Sequence, residues 1–303
     1  MNYFRCGGGN GSTITIDGQE YDGDVELKIK YANESVSTLP YEFYQGLATV
    51  YNNEIHIMSG QSTSNNVKHY KWNGSSWKSV STLPVSFWLS EAVVYNNEIN
   101  ILGDSVDHIE HYKWNGVSWE SVSTLPYEFN MGSAVVYNNE IHIMGGSSSN
   151  EIRISHYKWN GSSWQRASTL PFSFLNGAAV VYNTEIHIMG GLNDRSHYKW
   201  NGVSWESVST LPYGFNMGSA VVYNNEIHIM GTSNSGERKY HYKWNGSNWK
   251  SAGTLPYEFY ASKAVVYKDN IHILSSGAPN GAGYPNAKNH QIVGMEFYKL
   301  TKK

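Results

Sequence analysis

The sequence predicts an all-β fold, a six-bladed β-propeller of four-stranded antiparallel blades whose last blade is closed by an N-terminal strand. Three observations predict it. The tripeptide Thr-Leu-Pro ends at Pro40, Pro84, Pro126, Pro171, Pro212 and Pro256, 41 to 45 residues apart, which is the length of a propeller blade. Each unit holds four short apolar or aromatic runs separated by turn residues. The last unit lacks the fourth run, while Asn33-Glu-Ser-Val-Ser-Thr-Leu-Pro40 copies Trp119-Glu-Ser-Val-Ser-Thr-Leu-Pro126 without its Trp.

In chain order, the first segment stands outside the repeat. Cys6 and Gly7-Gly8-Gly9 belong to a glycine-rich leader. Residues Ser12 to Tyr21 then alternate polar and apolar around Asp17-Gly18, a hairpin signal, and Val25 to Lys30 alternate as a further strand. Residues 1–30 therefore read as a leader and small β attachment module, and residues 31–303 as the propeller. A single Cys forms no intramolecular disulfide, so stability does not depend on an oxidising compartment. No apolar run is long enough to span a membrane, and Met1 to Arg5 lack the layout of a signal peptide.

The third unit shows the elements of a blade. Ala134 to Tyr137 is a small, β-branched strand, and Asn138-Asn139 suit the positive φ of a two-residue type I′ turn. Glu140 to Met144 returns with Ile141 and Ile143 on one face and His142 and Met144 on the other, as expected of a strand sandwiched between blades. Strands three and four form the hairpin His111-Tyr-Lys-Trp-Asn-Gly-Val-Ser-Trp119 and its copies. With Asn115-Gly116 as a two-residue turn, Tyr112 would pair with Trp119. Ten of the 11 Trp lie in these hairpins and read as core; the other is Trp88. In the last unit, Gly294 to Leu300 reads as strand three.

A glycine pair ending strand two, followed by a Tyr and then a Trp, resembles the kelch repeat, whose blades build closed propellers. The resemblance covers about residues 34 to 300. Gly145-Gly146 and Gly190-Gly191 keep both glycines, whereas Ser59-Gly60, Gly103-Asp104, Gly231-Thr232 and Ser275-Ser276 depart. The leader, Gly-rich and then Thr-Ile-Thr-Ile-Asp-Gly, is similar to the openings of tail-associated proteins of phages and prophages of Gram-positive bacteria. That similarity implies a virion or phage-like particle, with residues 1–30 meeting other tail or baseplate proteins.

Composition and motifs narrow the function. A net charge of −3 without a Lys/Arg cluster argues against nucleic acid. Of the 12 His, five recur on strand two and five precede the Tyr of strand three, so they are spread around a ring and read as packing; no metal or other cofactor is expected. Copper-radical oxidases of the kelch class need a Cys linked to a Tyr inside the propeller, and Cys6 lies outside it. No Ser-His-Asp arrangement or phosphate loop stands out, and no catalytic residue is assigned.

The candidate binding face comes from what does not repeat. The run before strand one varies most: Tyr44-Gln-Gly-Leu47, Trp88-Leu-Ser-Glu91, Asn130-Met-Gly-Ser133, Leu175-Asn-Gly-Ala178, Asn216-Met-Gly-Ser219 and Tyr260-Ala-Ser-Lys263. Shared blade geometry does not demand these residues. The kelch resemblance implies that they share one face with the loops after the glycine pairs. Tyr44, Trp88, Glu91, Asn130, Leu175, Asn216, Tyr260 and Lys263 are the candidate contacts. Blades six, one and two carry the aromatics Tyr260, Tyr44 and Trp88, which suit sugar stacking or a protein loop. The expectation is a non-catalytic binding or structural module that contacts a cell-surface glycan or another structural protein. A carbohydrate-active enzyme of sialic acid mutarotase type and a cytoplasmic interaction scaffold are the alternatives.

Overall fold

The computed structural model describes residues 3–5, 13–16, 19–22, 26–60, 67–103, 107–146, 152–192, 194–232, 239–255, 258–259, 261–275 and 289–301. Cys6, the Asp17-Gly18 turn, Tyr260 and the loops after the glycine pairs lie largely or wholly outside them. The structure is the expected six-bladed propeller. In blade 3 the four strands are Ser133–Tyr137, Glu140–Met144, Ser155–Trp159 and Trp164–Thr169, antiparallel in that order. The first strands of successive blades touch around a closed ring, with Lys263–Tyr267 of blade 6 returning to Leu47–Tyr51 of blade 1.

Local chemistry sets the first turn of each blade. Asn138 and Asn139 take φ of 49° and 60°, and Tyr137 pairs with Glu140 across them. This is the type I′ geometry that matches the right-handed twist of the flanking strands. The outer hairpin differs from the expected one. Trp114 pairs with Trp119 and Tyr112 with Ser121, so the loop has four residues, Asn115 to Ser118. The Asn115 side chain makes this loop: Oδ1 accepts from the backbone N–H of Val117 at 2.8 Å and of Ser118 at 2.9 Å. A side-chain acceptor that closes the turn on itself outcompetes the tighter two-residue form. The cross-strand pair is therefore Trp on Trp, with ring centroids 5.4 Å apart.

N-terminal closure is observed, with a change of register. The third strand of blade 6, Asn289–Thr301, lies between Asn270–Ser275 and the N-terminal strand Glu26–Thr38. Its blade-forming part begins at Asn289, five residues before the expected start, and the 295–301 stretch continues outward paired with Glu26 to Ala32 after a register shift between Ile292 and Met295. The N-terminal strand runs unbroken through residue 30, and Tyr3–Arg5 adds a fifth strand beside its beginning. Thr13–Ile16 and Gln19–Asp22 form the expected hairpin.

The core is divided among the interfaces between blades. Between blades 3 and 4, Val135, Tyr137 and Met144 pack on Leu170, Phe174, Ile186, Ile188 and Trp200. Every one of these is buried, and equivalent clusters fill the other interfaces. Each blade thus completes its neighbour's core, and no blade has one of its own.

A polar chain runs through the same interfaces. In blade 3, His142 Nδ1 meets His156 Nε2 at 2.8 Å, and His156 Nδ1 meets Ser168 Oγ at 2.7 Å. Trp205 of blade 4 then donates its indole N–H to Ser168 Oγ at 2.9 Å. Blade 1 uses His56, His69, Ser81 and Trp119; blade 4 uses His187, His197, Ser209 and Trp249. Blade 6 closes the set with His272, His290, Ser37 and Trp77, which identifies His290 as the sixth strand-three histidine. Blade 5 has Gly253 where the Ser would be, and blade 6 has Asn33 where the Trp would be. The two losses fall at one interface, so neither leaves the other's hydrogen bond broken.

Blade 2 fixes the direction of this chain. Asn100 replaces the strand-two His, and its Nδ2 donates to the Glu98 carbonyl at 3.1 Å, so Oδ1 faces His111 Nε2 at 2.9 Å. An amide oxygen has no proton, and His111 must donate from Nε2 and accept at Nδ1 from Ser123. The polarity is Trp to Ser to strand-three His to strand-two residue. In the other blades it leaves the strand-two His as the Nε2–H tautomer. In blades 1, 3 and 4 that Nε2 makes no well-formed hydrogen bond. It corresponds to Asn100 Nδ2, which meets the Tyr95 carbonyl at a stretched 3.5 Å.

Burial keeps these imidazoles neutral, with His142 pushed down to about 4 and His156 to about 3. Eleven His are depressed in this way, each chiefly by burial. The unfolded chain binds protons below about pH 6.5 that the folded chain refuses, so stability is level above about pH 7 and falls with pH below it. Each tenfold loss of proton affinity on folding corresponds to about 1.4 kcal/mol, against a typical total stability of about 5–15 kcal/mol. Cooperative unfolding is therefore expected near about pH 5, read by tryptophan fluorescence, and a midpoint below about pH 3 would contradict neutral burial. The chain's polarity has its own test. His142→Asn should melt within about 3 °C of the parent, because Asn already serves in blade 2. His142→Ala should cost at least about 1–3 kcal/mol, because the His156 N–H loses its acceptor.

Candidate functional site at the channel mouth

Before each first strand, the chain passes through one residue in the left-handed region: Gln45, Leu89, Met131, Asn176, Met217 and Ala261, with φ between 48° and 60°. Their backbones form a belt around the channel mouth. The N–H of Met131 donates to Leu89 O at 2.8 Å, Asn176 to Met131 at 2.7 Å, Met217 to Asn176 at 2.9 Å, Ala261 to Met217 at 3.2 Å and Gln45 to Ala261 at 3.0 Å. The remaining step, from blade 2 to blade 1, is made by side chains, with Trp88 Nε1 donating to Gln45 Oε1.

This belt, the residue after it in blades 2 to 6, and Glu91 and Lys263 one position further on line a solvent-open funnel that receives residues from all six blades. In blades 3 and 4 the residue after the belt has to be glycine. A Cβ on Gly132 would lie 2.4 Å from Phe129 Cε2, and one on Gly177 would lie 2.3 Å from Phe174 Cε2. Blades 2 and 6 carry Ser90 and Ser262 instead. Ser90 Oγ donates to Trp88 O at 3.2 Å, and Ser262 Oγ donates to Ser275 Oγ at 3.0 Å. These are the two blades that next supply Glu91 and Lys263.

Lys263 Nζ lies 2.8 Å from Glu91 Oε1, and the two side chains are 24% and 22% exposed. The pair joins blade 6 to blade 2, on either side of blade 1. The repeated Lys–Glu pairs between strands two and three stay within one blade, as Lys158 does with Glu140 at 2.9 Å. Across the mouth stand Met131 and Met217, with Asn176 between them in blade order.

Of the candidate contacts read from sequence, the structure brings Glu91 and Lys263 into the funnel wall. Tyr44, Trp88 and Asn216 are half-buried beside it, and Asn130 and Leu175 are buried. Tyr260 lies outside the described residues. Among the described residues, Tyr44 and Trp88 of the expected aromatic row do not line the wall: Trp88 braces Gln45, and Asn130 and Leu175 are buried. The belt residues stand one position beyond most of the expected contacts. Their sequence signal is a non-glycine followed by Gly or Ser at the same place in every unit. Among the described residues, no group of three or more His, Cys, Asp or Glu is placed to hold a metal.

A partly exposed pair contributes about 0–1 kcal/mol. Glu91→Gln and Lys263→Met should each therefore move the melting temperature by no more than about 2 °C. Gly177→Ala should lower it by several degrees, because overpacking against Phe174 costs about 1–3 kcal/mol. Calorimetric melts of the three variants test this, and a large loss in Glu91→Gln would make the pair structural.

No family model matches the chain, and no curated protein matches it in sequence. Among solved structures it is similar to one titled "Structure of YjhT", with a TM-score of 0.73 over 88% of this chain and 99% of that one. At 14% identity the likeness shows the fold alone. The comparison and the strand topology agree on a six-bladed, all-β propeller.

Proposed function

We propose that this kelch-like propeller is a non-catalytic binding and assembly module, with the funnel end of the channel as its contact surface. Residues 1–30 attach it to a phage-type tail or related particle. The carrying observation is the division of labour between repeated and unrepeated residues. The repeated His, Ser and Trp are committed to hydrogen-bonded chains within a blade that reach the next blade through the Trp. Among the described residues, charge enters the funnel where blades 2 and 6 depart from the repeat, at Glu91 and Lys263. A scaffold that varies at one mouth is suited to recognition.

The mutarotase-type alternative would need a convergent set of Arg, Glu and His groups in the funnel. Among the described residues, the wall holds one Glu and one Lys with amide, hydroxyl and thioether neighbours. That composition favours binding over acid–base turnover. The contacted partner is a cell-surface glycan or another structural protein.

Removing residues 1–30 should leave Tyr31 to Thr38 of the closing strand and a folded propeller, but abolish incorporation into particles. Removing residues 1–40 also takes Ser37, and with it the bonds to His290 and Trp77. That truncation should melt well below the first. Mass spectrometry of purified particles reads incorporation, and thermal melts read folding. Equal melting of the two truncations, or normal incorporation of the first, would refute the corresponding half of the reading.

A further inference from the structure

The funnel wall is chemically uneven, and the unevenness points to a ligand class. On one side, the Glu91–Lys263 bridge joins non-adjacent blades at the rim of the funnel. Its groups also keep unused capacity. A carboxylate has about four acceptor sites and an ammonium three donors, while their mutual contact uses one oxygen, Oε1, against Nζ. On the other side, Met131 and Met217 offer polarizable apolar surface. The Gln45 amide keeps its N–H donors, since its oxygen is engaged by Trp88.

Three ligand classes can be weighed against this wall. An acidic ligand would bring its carboxylate against Glu91 and compete with it for Lys263. A zwitterion would have to separate the two charges, now 2.8 Å from each other. A pair of adjacent hydroxyls needs neither change: one donates to the carboxylate while its neighbour accepts from the ammonium, and the ion pair stays closed. The carbon-bound hydrogens of the same ring would then face the methionines.

We infer that the funnel is a subsite for a neutral sugar unit of a glycan, its vicinal hydroxyls seated on the Glu91–Lys263 bridge and its apolar face against Met131 or Met217. The inference rests on the binding-module reading and specifies its ligand.

The test is saturation-transfer NMR and calorimetric titration of the full chain. The probes are methyl glycosides of neutral hexoses and N-acetylhexosamines, set against N-acetylneuraminic acid and glycine. At least one neutral glycoside should bind saturably. Glu91→Gln and Lys263→Met should each weaken it at least about tenfold with unchanged melting, and the double variant should lose little more than either alone. Preference for the acidic sugar or for glycine would overturn the inference, as would unchanged affinity in Glu91→Gln or no binding by any neutral probe. Host-cell adsorption of the same variants separates the two readings. If no sugar binds but adsorption falls in both variants, the ligand class is wrong and the funnel remains the contact surface. If adsorption is also unchanged, the funnel is not that surface.

Discussion

The structure depends on one demand: the imidazoles buried in every blade must remain neutral and hydrogen-bonded between layers of apolar side chains. An unpaired polar group there would cost about 1–3 kcal/mol, and a charged one more. The Trp–Ser–His–His chain meets most of the demand: it joins each strand-three imidazole to a partner at both nitrogens and ties the Ser to the Trp of the next blade. The strand-three rings also stand edge-on to the neighbouring blade's Trp, as His156 does to Trp200 at 5.4 Å and 87°. One set of residues therefore sets both the stagger between blades and the chemistry of the interface.

Closure follows from the same demand. Blade 6 must present a strand-three His to its own strand-two His and a Ser to the Trp of blade 1. Ser37 and His290 do this from opposite ends of the chain, 253 residues apart. Blade 5 presents no Ser and blade 6 asks for none, so the odd interface is self-consistent. The ring is closed by a hydrogen-bonded clasp and by packing, with no covalent tie among the described residues.

Against that uniform frame, the channel mouth is where the blades are free to differ. The belt of left-handed residues is a backbone device, and it tolerates Gln, Leu, Met, Asn and Ala at its six positions. The next position is constrained by the Phe beneath: glycine where the ring presses close, and serine in the two blades that carry charge. Recognition chemistry can thus be placed on two blades without disturbing the polar chains farther out.

Blade count, strand order, the type I′ turns at Asn-Asn and the N-terminal closing strand are all legible in the linear chain. They follow from period, alternation and turn chemistry, which are local and repeated. The same pattern marks the run before strand one as the variable segment that holds the candidate site. Which residue of that run faces the funnel is settled only by the folded backbone, because a single left-handed residue rotates the chain there and a pattern of residue types does not reveal it. Folding also settles that the outer hairpins have four-residue loops, where the Asn115 side chain competes with the ladder for backbone N–H groups. It brings His290 into the polar chain and sets Glu91 against Lys263, 172 residues away. Contacts of that kind depend on how the ring closes, and closure is a property of all six blades at once.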